Sequence, residues 1–267
     1  MKRYLLYSDT HLNFTLPWTQ YNFVAQLKEE NPDGLILTGD IACGLTIEYF
    51  LSFIVKQLKI PIYFVLGNHD FYSRSIKDVY SSITKLCSKY SNLHWMNNIE
   101  HLSLKENEVG IIGHDGWYDG RIGNPIYLGY NLDWIMIEEF RKLKSFDEKF
   151  AFGQNLANKS TEFLKIKLEK ALEIYQTVYI LTHMPICKEA SRGVGSGLEE
   201  FWLPYNVNCN MGKMIEDMMK DRNNQKVIVV CGHVHVASIT HVAHNIECIV
   251  QAGKYLGGPT EHNTLYI

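Results

Sequence analysis

The 267-residue sequence lacks the marks of a membrane anchor, a disulfide framework and a polyanion-binding surface. No apolar run approaches the roughly 20 residues that a bilayer-spanning helix needs. The start, Met1-Lys2-Arg3-Tyr4-Leu5-Leu6-Tyr7, has almost no apolar stretch before Ser8-Asp9, so no secretory signal is expected and a cytoplasmic location is. The six cysteines (Cys43, Cys87, Cys187, Cys209, Cys231, Cys248) are scattered without a C-x-x-C pair, which fits reduced thiols better than paired ones. Cys231 and Cys248 lie in or beside apolar runs, where a free thiol behaves as a small core residue. A net charge of −3 and the lack of a marked Lys/Arg cluster with aromatics leave no charge-driven attraction to nucleic acid or anionic membrane. Repeats, low-complexity tracts and linkers are also missing. A single domain over residues 1–267 is therefore expected, with a helical cap or insertion at about 117–173. Oligomeric state leaves no mark in the sequence.

What is present is the composition of an ordinary soluble globule: 46% hydrophobic and 21% charged residues, enough to bury a full core. The first third alternates strand and helix signals. Tyr4 to Tyr7, Leu35 to Leu37 and Ile62 to Leu66 read as short buried strands. Between and after them, Pro17 to Glu30, about Thr46 to Leu58, and Ile76 to Tyr90 read as helices. Such β-α-β-α-β order implies parallel strands joined by right-handed crossovers. Farther on, Ile99 to Leu104 and Val109 to Ile112 read as a hairpin around Lys105 to Glu108. Two charged amphipathic helices are expected near Asp133 to Lys144 and Gln154 to Glu173. Strands at Val178 to Leu181 and Val227 to Val230 flank a helix at Gly212 to Arg222, and a last hairpin over Ser238 to Ile249 turns at His244-Asn245. A mixed sheet, or a pair of sheets, between helices follows from this order.

Five short motifs each land just after an apolar run: Asp9-Thr10-His11, Gly39-Asp40, Gly67-Asn68-His69-Asp70, Thr182-His183 and Gly232-His233-Val234-His235. Singly, each is a common loop sequence. Together they bring two carboxylates, an amide and four imidazoles, with a fifth imidazole left for proton transfer. That set suits two adjacent divalent cations and phosphoester cleavage. Ligands of open α/β sheets gather at the carboxyl ends of parallel strands, where all five motifs fall. Residues two apart on an extended segment point the same way, so Asp9 pairs with His11 and His233 with His235.

In the order D-x-H, G-D, G-N-H-D, a later H and G-H-x-H, from Asp9 to His235, the sequence resembles the calcineurin-like metallophosphoesterases. The resemblance implies a four-layer αββα sandwich of two mixed sheets flanked by helices. It implies that Asp9, His11 and His235 hold one metal, that Asn68, His183 and His233 hold the other, and that Asp40 bridges them. The cofactors it implies are two divalent ions drawn from Mn, Fe, Zn, Co or Ni. Two dications carry four positive charges and Asp9 and Asp40 cancel two, so a bridging hydroxide leaves the centre positive and attractive to a phosphoryl group. Metal coordination lowers the pKa of water to about 7 in favourable cases, which makes that hydroxide a competent nucleophile. His69, beside Asn68 but not assigned to a metal, is then the acid for the departing oxygen.

The protein serine/threonine phosphatases of this superfamily carry G-D-x-x-D-R-G, whereas this chain reads Gly39-Asp40-Ile41-Ala42-Cys43-Gly44. Cys43 thus stands where an Asp that could orient His69 is expected, and the arginine that would grip a phosphomonoester is missing. A small phosphodiester, with nucleotide-like compounds among the options, is therefore favoured over a phosphomonoester. His114, Arg121 and Arg192 are candidate substrate contacts, and Arg74 could also supply a clamp. The Gly-rich segment Arg192 to Gly197 lacks the G-K-[ST] of a phosphate loop and reads better as a lid or specificity loop. Trp117, Tyr118, Trp134 and Trp202 are candidates for stacking a base or sugar. The alternatives are a nuclease acting on DNA or RNA, which the charge does not support, and a non-catalytic scaffold that kept the fold.

Overall fold

A computed structural model describes residues 1–124, 131–191, 199–255 and 262–267. In chain order the strands are β1 (Arg3–Tyr7), β2 (Gly34–Thr38), β3 (Ile62–Val65), β4 (Leu93–Trp95), β5 (Leu102–Lys105), β6 (Val109–Gly113), β7 (Thr177–Leu181), β8 (Lys226–Cys231), β9 (Ser238–Ala243), β10 (Ile246–Val250) and β11 (Asn263–Tyr266). The helices are α1 (Pro17–Glu30), α2 (Ile47–Gln57), α3 (Ile76–Cys87), α4 (Leu132–Met136), α5 (Glu138–Lys142), α6 (Phe146–Ile174), α7 (Glu199–Asn206) and α8 (Cys209–Met219).

The strands form two mixed sheets, ordered β11-β1-β2-β3-β4 and β5-β6-β7-β8-β10-β9. Within the first, β1 to β4 are parallel and β11 runs antiparallel beside β1. Within the second, β6, β7, β8 and β10 are parallel, with antiparallel β5 and β9 at the edges. The central strands are apolar on both faces because both faces are covered. Leu5, Tyr7, Leu35, Leu37, Ile62 and Phe64 turn outward onto the first helix layer, in one core with residues of α1, α2 and α3. The alternate residues Tyr4, Leu6, Ile36, Tyr63 and Val65 turn inward and meet Tyr179, Leu181, Ile228 and Val230 of the second sheet. The outer face of that sheet, including Val178, Ile180, Val227 and Val229, packs on Leu164, Leu168 and Leu172 of α6 and on Met211 and Ile215 of α8. These are the four layers of an αββα sandwich.

Several boundaries differ from the sequence-based expectation. The helix expected over 133–144 breaks at Ile137, whose extended backbone (φ −91°, ψ 131°) separates α4 from α5. The next helix starts eight residues earlier than expected, at Phe146, where Ser145 and Glu148 form a reciprocal capping box. The helix expected from Gly212 starts at Cys209, capped by Asn208. The three-residue β4, the four-residue β11 and α7, which contains Pro204, were not anticipated. The last hairpin turns where expected, between Ala243 and Ile246. All six cysteines are free. Among the described residues no helix is long and apolar enough to cross a membrane.

One buried charge ties the layers together. Lys167 of α6 is 5% exposed, and its Nζ donates to the carbonyls of Met96 (2.6 Å), Asn97 (3.0 Å) and Gly113 (2.8 Å). Met96 and Asn97 follow β4 of the first sheet, while Gly113 closes β6 of the second. The ammonium therefore pins α6 to the junction between the sheets. Lys167→Met keeps the stem's volume but leaves three carbonyls without their donor. We expect it to lower unfolding free energy by about 2–4 kcal/mol, since each buried group left unsatisfied costs roughly 1–3 kcal/mol. Urea denaturation measures this, and an unchanged midpoint would show that the ammonium contributes nothing.

Candidate metal centre

The carboxyl ends of β1, β2 and β3 meet those of β7 and β8 along one rim of the sandwich. Backbone bonds staple the first two loops: Asp9 N donates to Gly39 O (3.0 Å), His11 N to Asp40 O (2.9 Å) and Leu12 N to Ile41 O (2.9 Å). The loops reverse too sharply for ordinary backbone. Five of the eight non-glycine residues with positive φ among those described lie here: Asp9 (50°), His11 (40°), Asp40 (50°), His233 (70°) and His235 (59°). Such conformations cost of order 1–3 kcal/mol each and persist where the surroundings over-determine them. Asp and His tolerate the left-handed region better than most residues, which eases the strain here.

Two groups of donor atoms converge across a shared carboxylate. In the first, ligand atoms of Asp9, His11, Asp40 and His235 all lie within 4.8 Å of one another. His11 Nε2 stands 3.3 Å from His235 Nε2 and 3.8 Å from Asp40 Oδ2, and His235 Nε2 stands 3.2 Å from Asp9 Oδ1. In the second, Asn68 Oδ1 is 3.2 Å from both His183 Nε2 and His233 Nδ1, while His183 Nε2 is 3.4 Å from Asp40 Oδ1. Asp40 thus turns one oxygen toward each group.

The tautomers show that these donors fit cations. His183 Nδ1 donates to the carbonyl of Thr38 (2.8 Å) and His233 Nε2 to that of Tyr205 (3.1 Å). In the neutral rings this leaves lone pairs on His183 Nε2 and His233 Nδ1, both aimed at the oxygen of Asn68. Lone pairs facing lone pairs repel unless a positive charge lies between them. The imidazole partners are the carbonyl groups that commonly orient metal-binding histidines. The electrostatics agree. Burial would raise the pKa of Asp40, but His183 and His69 beside it hold its carboxyl well below the usual range. Burial would likewise raise Asp9, which the hydrogen bond to His235 instead brings below its ordinary value. Burial disfavours a charged His183, yet the Asp40 carboxylate pushes it up to about 10, so positive charge is favoured beside Asp40. His11 and His233 are held down, to about 4 and about 3, chiefly by burial, which keeps them neutral as metal ligation requires.

Around the donors lie residues that the sequence did not single out. Asn68 Nδ2 donates to Asp133 Oδ1 (2.8 Å) and to Tyr72 Oη (3.2 Å), and the Tyr72 hydroxyl donates to Asp133 as well (2.8 Å). This fixes the flip of the amide and aims Oδ1 at the histidines. His69 stacks on Tyr72, with centroids 4.3 Å apart at 28°, and its Nε2 lies 3.9 Å from Asp40 Oδ2. Stacking thus holds His69 in a chain that has Cys43 where a carboxylate was expected. Asp70 accepts from Ala42 N (2.9 Å) and Gly67 N (2.8 Å), joining the loops after β2 and β3. Tyr255 stacks on His11 at 4.3 Å and forms an aromatic wall with Phe14.

Of the candidate substrate contacts, His114, Arg121 and Arg74 fall among the described residues. His114 accepts from Gly116 N (3.2 Å) and lines an apolar cavity of about 470 Å³ between α3 and α6, beside Phe163. Arg121 is held by Asn158 (2.8 Å) and Asp119 (3.4 Å), and Arg74 by Glu48 (2.7 Å) and the carbonyl of Gly44 (3.0 Å). Arg192 and the Gly-rich segment after it fall outside the described residues.

The description of the calcineurin-like phosphoesterase family matches residues 2–237. No curated protein matches the sequence. Among solved structures, a phosphopantetheinyl hydrolase from Mycobacterium tuberculosis is similar at 16% identity and a TM-score of 0.62, covering 94% of this chain and 89% of that one. A dimetal phosphatase from Danio rerio is similar at 15% identity and a TM-score of 0.62, covering 100% and 92%. At these identities the likeness concerns the fold.

Gly67 tests how tightly the donors are held. A Cβ there would collide with Asp40 Oδ1 and lie 2.5 Å from Asp40 N. Gly67→Ala must therefore move the shared carboxylate. We expect manganese binding, followed by isothermal calorimetry, to weaken by about tenfold or more, the scale seen when groups supporting a metal ligand are disturbed. Wild-type affinity in this variant would contradict a shared role for Asp40.

Proposed function

Because this chain belongs to the calcineurin-like phosphoesterase family, a family of metal-dependent phosphoric ester hydrolases, we propose that it cleaves small phosphodiesters at a dinuclear centre on this rim. The carrying observation is the division of Asp40, with one oxygen facing His11 and the other His183. On this reading Asp9, His11 and His235 hold one ion, Asn68, His183 and His233 the second, and Asp40 both. When bound, two divalent ions supply Lewis acidity and an ionised water as nucleophile.

The chain's own residues account for the remaining chemistry. Asp9 and Asp40 offset two of the four positive charges and leave the rim attractive to an anionic phosphoryl group. His69 lies beside Asp40 but is not a ligand in this assignment, which leaves it free to hand a proton to the departing oxygen. Tyr72 holds the His69 ring by its face, so rotation is restricted without tying up a ring nitrogen. Among the described residues the candidate clamps Arg74 and Arg121 are committed to Glu48 and to Asp119 and Asn158, which favours a diester over a monoester. A monoester carries about two negative charges near neutrality and gains more from a guanidinium than a diester with one.

Two substitutions test the assignment on the manganese-loaded protein. Asp40→Asn is expected to remove nearly all hydrolysis of bis(p-nitrophenyl) phosphate, and retained activity would defeat the proposed centre. His69→Asn is expected to lower kcat by about 10²–10⁴-fold on a diester with an alkoxide leaving group, the usual range for a general acid. On bis(p-nitrophenyl) phosphate the loss should be much smaller, because p-nitrophenolate departs without a proton. Equal losses on the two substrates would assign His69 another role.

A further inference from the structure

Four aromatic residues stood out in the sequence as able to stack a ring: Trp117, Tyr118, Trp134 and Trp202. Three are buried, Trp117 at 3%, Tyr118 at 1% and Trp134 at 3% exposure. They are also locked together, with Trp134 Nε1 donating to Tyr118 Oη at 2.9 Å. Trp202 differs. It is 37% exposed and lines a cavity of about 170 Å³ that also touches Asn68 and His233 of the second donor group.

The geometry points to this cavity, between α4 and α7, as the seat of a nucleobase, with Trp202 selecting nucleoside phosphoesters; the inference rests on the phosphoesterase reading of the adjoining rim. The walls combine an apolar face with side-chain amides. Trp202 and Leu132, which are 37% and 53% exposed, supply flat and aliphatic surface. Asn131 spends its Oδ1 on the N–H of Asp133 (3.0 Å), and its Nδ2 has no partner among the described residues. The Asn206 side chain is 9% exposed and likewise has none among those residues. Aromatic stacking beside free amide donors and acceptors is how proteins hold unpaired bases. The cavity, of about 170 Å³, has room for a ring system.

Position relative to the rim supports the same reading. Trp202 and Tyr205 are three residues apart on α7 and so share a face. The carbonyl of Tyr205 accepts from His233 Nε2 at 3.1 Å. One turn of helix therefore orients a metal-facing histidine and offers the stacking surface next to it. Tyr72, the stacking partner of His69, also lines the cavity. A base seated there places its phosphoester toward Asn68 and His233.

The test compares 2′,3′-cyclic AMP with glycerol 1,2-cyclic phosphate, which present the same five-membered phosphodiester with and without a nucleoside. Wild-type protein loaded with manganese should favour the nucleotide in kcat/KM. Trp202→Ala should lower that preference by about 5- to 100-fold, the range that base–aromatic stacking supplies, and Trp202→Phe should restore most of it. A preference that is absent, or unchanged by Trp202→Ala, would overturn the inference. A second measurement needs neither metal nor turnover: saturation transfer from the protein to the H2 and H8 protons of adenosine, expected with wild type and Trp202→Phe and lost with Trp202→Ala. Its absence with wild type also overturns the base site. Adenosine binding in a protein that hydrolyses no phosphoester, bis(p-nitrophenyl) phosphate included, would support the base site while rejecting the phosphoesterase reading.

Discussion

The rim depends on one buried carboxylate. Asp40 is 1% exposed, and burial by itself would force it to take up a proton. Its surroundings prevent that. The N–H of His69 donates to Oδ1 at 2.9 Å, and imidazoles of His11, His69 and His183 lie within 4 Å of one or other oxygen. An ionised group so placed requires cationic partners, and histidines alone can supply them only by being charged. Divalent ions remove that conflict, because the rings can then stay neutral and still face the carboxylate. The same logic explains the strained loops. Left-handed backbone at five donor residues is costly in isolation, and a rigid two-sheet core is what lets the chain retain it.

Three further buried carboxylates keep the loops in register without joining the donor groups. Asp70 links the loops after β2 and β3 through Ala42 N and Gly67 N. Asp115, after β6, accepts from Leu66 N (2.7 Å), Trp95 Nε1 (3.0 Å) and Asn97 Nδ2 (2.7 Å), so it clamps one sheet's rim to the other's. Asp133 fixes Asn68. Burial pushes Asp70 up to about 8 and Asp115 up to about 6, with the charge of Asp40 adding to the rise at Asp70. Asp40 and Asp70 lie in neighbouring loops but are driven in opposite directions. Environment separates a carboxylate kept ionised for cations from one whose task is to accept backbone N–H groups.

The donor residues were legible because each follows an apolar strand and sits in a short local pattern. The supporting residues were not, because their partners are distant: Asp133 reaches Asn68 across 65 positions, and Lys167 reaches Gly113 across 54. In the sequence Lys167 is one more charge on an amphipathic helix, and nothing local marks it as buried. Strands β4 and β11, of three and four residues, are too short for a period of two to show. The start of α6 is legible in the sequence, since Ser145-Phe146-Asp147-Glu148 carries the S-x-x-E capping pattern. Aromatics lie between these cases. The sequence marks all four tryptophan and tyrosine candidates alike as able to stack a ring, and only the fold separates Trp202 from the three in the core.

The replacement of an expected aspartate by Cys43 then acquires a physical meaning. A carboxylate bonded to the ring would orient His69 through a hydrogen bond. Stacking on Tyr72 orients the ring through dispersion and shape. The Tyr72 hydroxyl is itself committed to Asp133, the residue that holds Asn68. Orientation of the proposed acid and orientation of a proposed metal ligand are therefore set by one side chain. A substitution at Tyr72 would therefore disturb both together. The cavity proposed for the base touches the same tyrosine. On the proposed reading, a base in that cavity would touch the ring that orients both the acid and the amide ligand.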